Sequence, residues 1–349
     1  MTVRDRPPPP GTSLPPPPPG GERDAGADEA RRFLRSAVWF VLAGLLLYGV
    51  LYVGSERLVY EHGERNRFHV IRTMPPSHVD VVILGASRAA ALDYRDMNER
   101  LEALSGARVV NLATVGGGIT INRLLLDYFL SRHDTGAVIY VLDSFAFYSR
   151  EWNEDRLRDT DLYVRAPFDP TLVRLMWNEP AARSALVEYV SGFAKINNAE
   201  RFEPDRFASE GAAFERTYRP IPQIDRQRIE FLYPDGADEA RLHEMSYLTE
   251  LQELIDRVRA RGMEFVAVRP PVPDRFREMI PGEDRFDRTL EGLLARNDVA
   301  LHDFTSLGND PEFFYDSDHL NRDGVLNFFR QGFATLVAEL RHGGDGNGE

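Results

Sequence analysis

Two short stretches hold the residues best suited to chemistry. The first, Leu84-Gly85-Ala86-Ser87-Arg88, follows an apolar run and puts a serine where a strand gives way to a helix. Open α/β sheets bind ligands at the carboxyl ends of their strands, so a hydroxyl there can meet a substrate. The same position suits a helix cap, in which the serine oxygen accepts a backbone N–H. The second stretch is Phe314-Tyr315-Asp316-Ser317-Asp318-His319-Leu320-Asn321, just ahead of the last amphipathic segment. An aspartate three residues before a histidine in a turn can accept the Nδ1 proton and stabilise the imidazolium while Nε2 faces a serine. Capping competes here too, with Asp318 or Asn321 at a helix start and His319 as a surface residue. Serine, histidine and carboxylate are the parts of a nucleophile, its general base and the group that orients the base. The chemistry would be acyl transfer through an acyl-serine.

Short apolar runs alternating with amphipathic segments are needed to hold these stretches together, and the chain supplies them. Strands are expected at Val79 to Leu84, Val109 to Leu112, Val138 to Leu142, Glu264 to Val268 and Val299 to Leu301. They are continuous rather than alternating in polarity, as strands covered on both faces should be. Helices are expected at Asp93 to Ser105, Ile121 to Arg132, Asp238 to Arg261, Arg285 to Arg296 and Asn321 to Arg341. The pattern is α/β. Residues 149–235 break the rhythm and form an insertion whose fold the pattern does not give.

The 349 residues suffice for a sizeable core. A formal charge of −13 argues against a nucleic-acid partner, which needs a dense basic face. The absence of cysteine removes disulfides, thiolate metal sites and a cysteine nucleophile. There is no paired-histidine metal motif, and no cofactor is implied. Residues 1–35 are proline-rich at their start and too poor in apolar side chains to fold alone, which predicts a disordered tail; 342–349 read the same way. From Ser36 to Ser55 no residue is charged, and a helix of that length matches a bilayer core. Arg31, Arg32 and Arg35 precede this span, whereas Glu56, Arg57, Glu61 and Glu64 follow it. The expectation is a single-pass protein of the bacterial inner membrane with its N-terminus cytoplasmic, a juxtamembrane linker over 56–77 and an exported acidic domain over 78–341.

A serine after the first strand and an Asp-x-x-His before the final helix resemble the SGNH, or GDSL-like, hydrolase superfamily over about residues 78–341. The resemblance implies a flavodoxin-like three-layer α/β/α fold and esterase, lipase or acyltransferase activity. Ser87 would then be the nucleophile, His319 the general base and Asp316 the group orienting it. The second block of the superfamily, an Asn-x-Gly turn whose glycine amide helps hold the oxyanion, corresponds to Asn111-Leu112-Ala113-Thr114-Val115-Gly116. Ala113 can replace glycine because the donor is a backbone amide. Asn111, Ala113, Gly116 and Arg88 are therefore the oxyanion or substrate-binding candidates, although an arginine after a turn most often lies in solvent. The third block departs further: Val141-Leu142-Asp143-Ser144 lacks the asparagine of Gly-x-Asn-Asp. With the preceding span, the Gly-Ala-Ser-Arg motif resembles the branch of envelope polysaccharide O-acetyltransferase proteins and the D-alanyl transfer protein of teichoic acid synthesis. That branch implies an acylated envelope glycan or lipid as substrate and a membrane-bound partner that delivers the acyl group. The alternative is a non-catalytic glycan-binding or scaffold protein of an envelope assembly. Phe145, Phe147, Tyr148 and Trp152 are candidates for a sugar-stacking lip, and Asp303 is a rival partner for His319.

Overall fold

The computed structural model describes residues 21–63, 66–198, 213–234 and 237–344. Its frame is five parallel strands, β1 (His78–Leu84), β2 (Val109–Asn111), β3 (Asp134–Val141), β4 (Glu264–Arg269) and β5 (Leu301–Asp303). Their order across the sheet is β2-β1-β3-β4-β5. This is the flavodoxin-like doubly wound order, in which the chain reverses direction across the sheet between β1 and β3. Register follows the apolar runs: Val81 lies opposite Val109 and Ala137, and Ile139 opposite Val266.

Because successive strand side chains point to opposite faces, the two faces carry separate cores. Val82, Leu84, Val138, Tyr140 and Ala267 pack with the helices Ile119–Leu130, Ala237–Arg259 and Glu283–Arg296. Val81, Ile83, Ile139, Val141 and Val268 pack with Met97–Ser105 and the C-terminal helices. The expected three-layer α/β fold is present, with two differences at element ends. β5 begins at Leu301 rather than Val299, since its pairing is set by β4, Ala267 lying opposite Leu301 and Arg269 opposite Asp303. The long final helix is broken into Arg322–Phe328 and Ala334–Gly344 by a wide turn at Phe329–Phe333. Gly332 there has φ 141°, a conformation that L side chains avoid, and a Cβ would sit 3.1 Å from the Phe304 ring.

The chain divides after Val53 into two units. A helix running from Gly21 to His62, most of it in the first unit, carries the apolar segment and is long and apolar enough to cross a bilayer. The side chains of the apolar segment face outward, Trp39 at 71% and Phe40 at 80% exposure. The helix extends beyond the apolar segment at both ends. Alanine, glutamate and arginine favour helix before residue 36, and Arg57 paired with Glu61 carries it past residue 55. The expected linker also contains the helix Arg67–Thr73, capped by the Asn66 side chain on the His69 N–H at 3.2 Å. Residues 1–20 of the expected tail, and 345–349 of the C-terminal one, lie outside the described residues.

Among its described residues the insertion is helical. Pro170–Asn178 starts from Asp169, whose side chain accepts the Thr171 N–H at 2.8 Å, and Arg183–Ser191, Phe193–Asn197 and Pro222–Leu232 follow. The only lysine of the chain, Lys195, is buried against Glu56. The four aromatics weighed as a lip are core, as aromatics at a strand end usually are. Phe145, Phe147, Tyr148 and Trp152 are all buried, Phe145 against Trp152 and Phe147 against Phe286.

Candidate active site

Ser87 owes its position to Gly85. Gly85 has φ 148°, and a Cβ on it would stand 2.8 Å from Ala89 Cβ and 3.0 Å from the Val141 carbonyl. Only glycine lets the chain leave β1 this tightly. The turn is tied down by the Gly85 N–H, which donates to Asn122 Oδ1 at 2.9 Å. A helix of one turn, Ser87–Ala90, begins at once with Ala86 as its cap residue, so the Ser87 hydroxyl is not used for capping. It donates instead to His319 Nε2 at 2.7 Å.

The histidine arrives on a turn pinned at both ends. Phe314 pairs with Leu320, the Tyr315 N–H reaches the His319 carbonyl at 3.0 Å, and the Asn321 N–H reaches Phe313 O at 2.8 Å. Asn321 caps the following helix through the Gly324 N–H at 2.9 Å, which leaves His319 free for other work. Inside the turn, Asp316 Oδ1 accepts the backbone N–H groups of Asp318 at 3.0 Å and His319 at 2.8 Å. Its Oδ2 lies 2.8 Å from His319 Nδ1. The hydrogen-bond pattern puts the ring proton on Nδ1 and leaves the Nε2 lone pair for the serine. Tyr315 stacks on the imidazole with its ring centre 5.5 Å away. Burial of the ring opposes its protonation, yet the Asp316 and Asp318 carboxylates outweigh that and hold the His319 pKa above its ordinary value.

Against known proteins the chain stands apart in sequence: no family profile and no curated protein matches it. Solved structures that align with it include a Streptococcus pneumonia protein named as a candidate platelet activating factor, at 11% identity and a TM-score of 0.35, over 85% of this chain and 99% of that one. Another is a Bacteroides fragilis protein named as a candidate acylhydrolase, at 9% identity and a TM-score of 0.36, over 79% of this chain and 98% of that one.

Around the serine and histidine lies a network of charge that the sequence did not reveal. Arg88, expected in solvent, is buried and pairs through Nη1 with Asp143 and through Nη2 with Asp318 at 3.1 Å. Asp318 is fully enclosed and also takes Arg228 Nε on its Oδ1 at 2.9 Å. Burial works against its charged form, but Arg228, His319 and Arg88 together hold its pKa well below the usual carboxylate range. Asp143 follows the opposite balance, with burial raising its pKa against the pull of Arg88. Asp316, Asp318 and His319 could draw in a cation, but both oxygens of Asp318 already face guanidinium groups.

The other candidate residues fall mostly to structural roles. The Ala113 N–H donates to Asn111 Oδ1 at 2.9 Å, so this amide is already occupied rather than open to an oxyanion. Asn111 Nδ2 donates to the Ala89 carbonyl at 2.8 Å, which fastens β2 to the serine's helix. Gly116 turns with φ 64° against the Trp152 ring, a Cβ there meeting it at 3.3 Å. Asp303 is engaged with the Thr305 N–H and hydroxyl and lies 3.6 Å from Arg269, not with His319. The Ser87 amide remains, since the first N–H groups of a helix have no acceptor within it. Chemically, the arrangement offers a hydroxyl whose proton has a base to go to and a base whose charged form is stabilised.

Proposed function

We propose that this chain is a membrane-anchored serine esterase or O-acyltransferase that acts on cell-envelope glycans or lipids through an acyl-serine intermediate. One observation carries the reading: Ser87 Oγ at 2.7 Å from His319 Nε2, with Asp316 Oδ2 at 2.8 Å from Nδ1 of the same ring. A structural serine needs no such relay, and Ser87 lies inside its helix after the cap position, which Ala86 occupies. Ser87 Oγ would attack the acyl carbonyl while its proton passes to Nε2 and the carbonyl electron pair moves to oxygen. Collapse of the tetrahedral species expels the leaving alcohol, which takes the proton from Nε2. The acyl-serine then passes its acyl group to water, giving an esterase, or to a sugar or lipid hydroxyl, giving a transferase. The helix over Asp28–His62 supports the anchor, and a transferase would draw its acyl group from a membrane-bound partner.

The scaffold reading has one observation in its favour, the Ala113 amide already bonded to Asn111 where an oxyanion donor was expected. One experiment separates the two. Full-length protein in detergent is treated with a fluorophosphonate, and separately with p-nitrophenyl acetate, beside Ser87→Ala, and the intact mass is recorded. A single adduct that is absent from the variant supports the enzyme. No adduct on folded protein, under conditions that label a known serine esterase, favours the scaffold.

A further inference from the structure

The site is short of oxyanion donors on its own sequence: Leu142-Asp143 stands where an asparagine amide was expected, and the Ala113 amide is occupied. A tetrahedral intermediate beside Ser87 would carry a full negative charge in a buried setting, where an unmatched oxyanion is costly. We infer that Arg228, contributed by the insertion, is the side-chain donor that binds this oxyanion. The inference rests on the acyl-serine reading above.

Four observations converge on this residue. Arg228 Nη2 lies 3.5 Å from His319 Nε2, and Nε2 lies 2.7 Å from Ser87 Oγ, so the guanidinium is within two hydrogen-bond lengths of the attacking atom. Its Nε is anchored at 2.9 Å to Asp318 Oδ1, and its plane rests over Phe231, 5.4 Å from the ring centre. These contacts fix the stem of the guanidinium and leave Nη2 turned to the histidine. The side chain keeps 24% of its surface exposed, so a substrate can reach it, whereas Arg88 keeps 6% and has both its Nη groups on carboxylates. Finally, the resting contact is one that the reaction itself dissolves. Before attack, Nε2 has a lone pair that Arg228 can share with the serine proton. Once Nε2 has taken that proton it is a donor and positively charged, so the Nη2 N–H loses its acceptor just as the negative oxygen forms beside it. Arginine suits the task because it stays charged throughout and presents several N–H groups in a fixed plane. Here the pairing with Asp318 outweighs burial and strengthens its hold on the proton.

The test uses full-length protein, p-nitrophenyl acetate as substrate and a phosphonate as tetrahedral analogue, with Arg228→Ala and Arg228→Lys. Removing an oxyanion donor should lower kcat by on the order of 10² to 10³ with KM changed little, and phosphonate affinity should fall in parallel. Arg228→Lys keeps the charge and the link to Asp318 but not the planar fork, so it should fold normally and show an intermediate loss. A merely structural role through Asp318 would not move kcat and analogue affinity together while sparing KM. If the wild type acylates Ser87 and both variants keep kcat within about threefold, the inference is overturned and the acyl-serine reading stands. If the wild type never acylates Ser87, the reading itself falls and takes this inference with it.

Discussion

Replacing Asp316 by asparagine should hurt the reaction more than replacing it by alanine, and the reason lies in which oxygen does what. Oδ1 accepts two backbone N–H groups, at 3.0 and 2.8 Å, so an asparagine has to keep its carbonyl oxygen there. Its amide nitrogen then takes the place of Oδ2, 2.8 Å from His319 Nδ1. A donor at that distance faces Nδ1 more closely than Oδ1 does at 3.0 Å, and so favours the tautomer with the ring proton on Nε2, which then turns toward Ser87 as a donor and no longer as a base. A wrong tautomer of this kind costs on the order of 10⁴ in turnover in the serine protease arrangement, equivalent to about 5 kcal/mol. Alanine presents no donor, and Asp318 Oδ1 at 3.6 Å from Nδ1 can still attract the ring proton, so part of the activity should survive. The assay is kcat/KM for p-nitrophenyl acetate on full-length wild type, Asp316→Asn and Asp316→Ala, with circular dichroism to establish that each is folded. An asparagine variant within about tenfold of wild type, or more active than the alanine variant, would refute the tautomer argument.

Further outcomes follow from the same electrostatics. Neutral His319 is the reactive form and its pKa is raised, so kcat/KM should fall as pH drops through a value above the ordinary 6.5, and Asp318→Asn should move that limb down; a wild-type limb at or below 6.5 contradicts the carboxylate assignment. Glu283 has its carboxyl pushed up to about 7 by burial, against a hydrogen bond with Ser144 that lowers it. An acid raised on folding binds protons in the native state, so its contribution to stability declines as pH rises from its ordinary 4.5 toward 7. With allowance for its partial exposure, Glu283→Gln should therefore stabilise the protein by about 1 to 3 kcal/mol near pH 8 and not near pH 4, a difference that denaturant titration at both pH values would expose or exclude. Lys195→Met should cost about 3 kcal/mol, because it strands Glu56, which also accepts the Phe168 N–H at 2.8 Å; adding Glu56→Gln should recover most of the loss, and an unchanged double variant would mean the pair is not what matters.

The sheet was legible because its central strands are short uninterrupted runs of Val and Ile, and such runs have few other stable uses in a chain of this composition. Its margins were not. The first residues of β3, Asp134 to Gly136, carry no strand signal and are recruited by β1, with His78 opposite Asp134. β5 is similarly placed by β4 and ends on His302 and Asp303, which no hydrophobic pattern would include. Ser87 and His319 could be found because each sits in a compact motif beside a clear element. The Arg228 contact could not, since it joins residues 91 apart through an insertion that has no periodic pattern. Composition hides it further: all but one of the 42 basic residues are arginine, so no single arginine draws notice.

The two aspartates of the histidine turn show how burial divides work that sequence leaves open. Asp318 adjoins His319 in the chain and its Oδ1 lies 3.6 Å from Nδ1, so either acid could have served the ring. Asp318 is wholly enclosed, and an enclosed carboxylate persists only when countered by charge, which Arg88 and Arg228 supply on its two oxygens. With both oxygens committed in this way, Asp318 acts on the imidazole through its charge, 3.6 Å away, rather than through a hydrogen bond. Asp316 keeps 39% of its side chain exposed and its ion pair among the described residues is with His319, so its Oδ2 holds the Nδ1 proton. The exposed acid thus serves the histidine, and the buried one positions Arg228 across the site. Exchanging the two demands would leave Asp318 buried without its counter-charges, the costliest arrangement open to this turn.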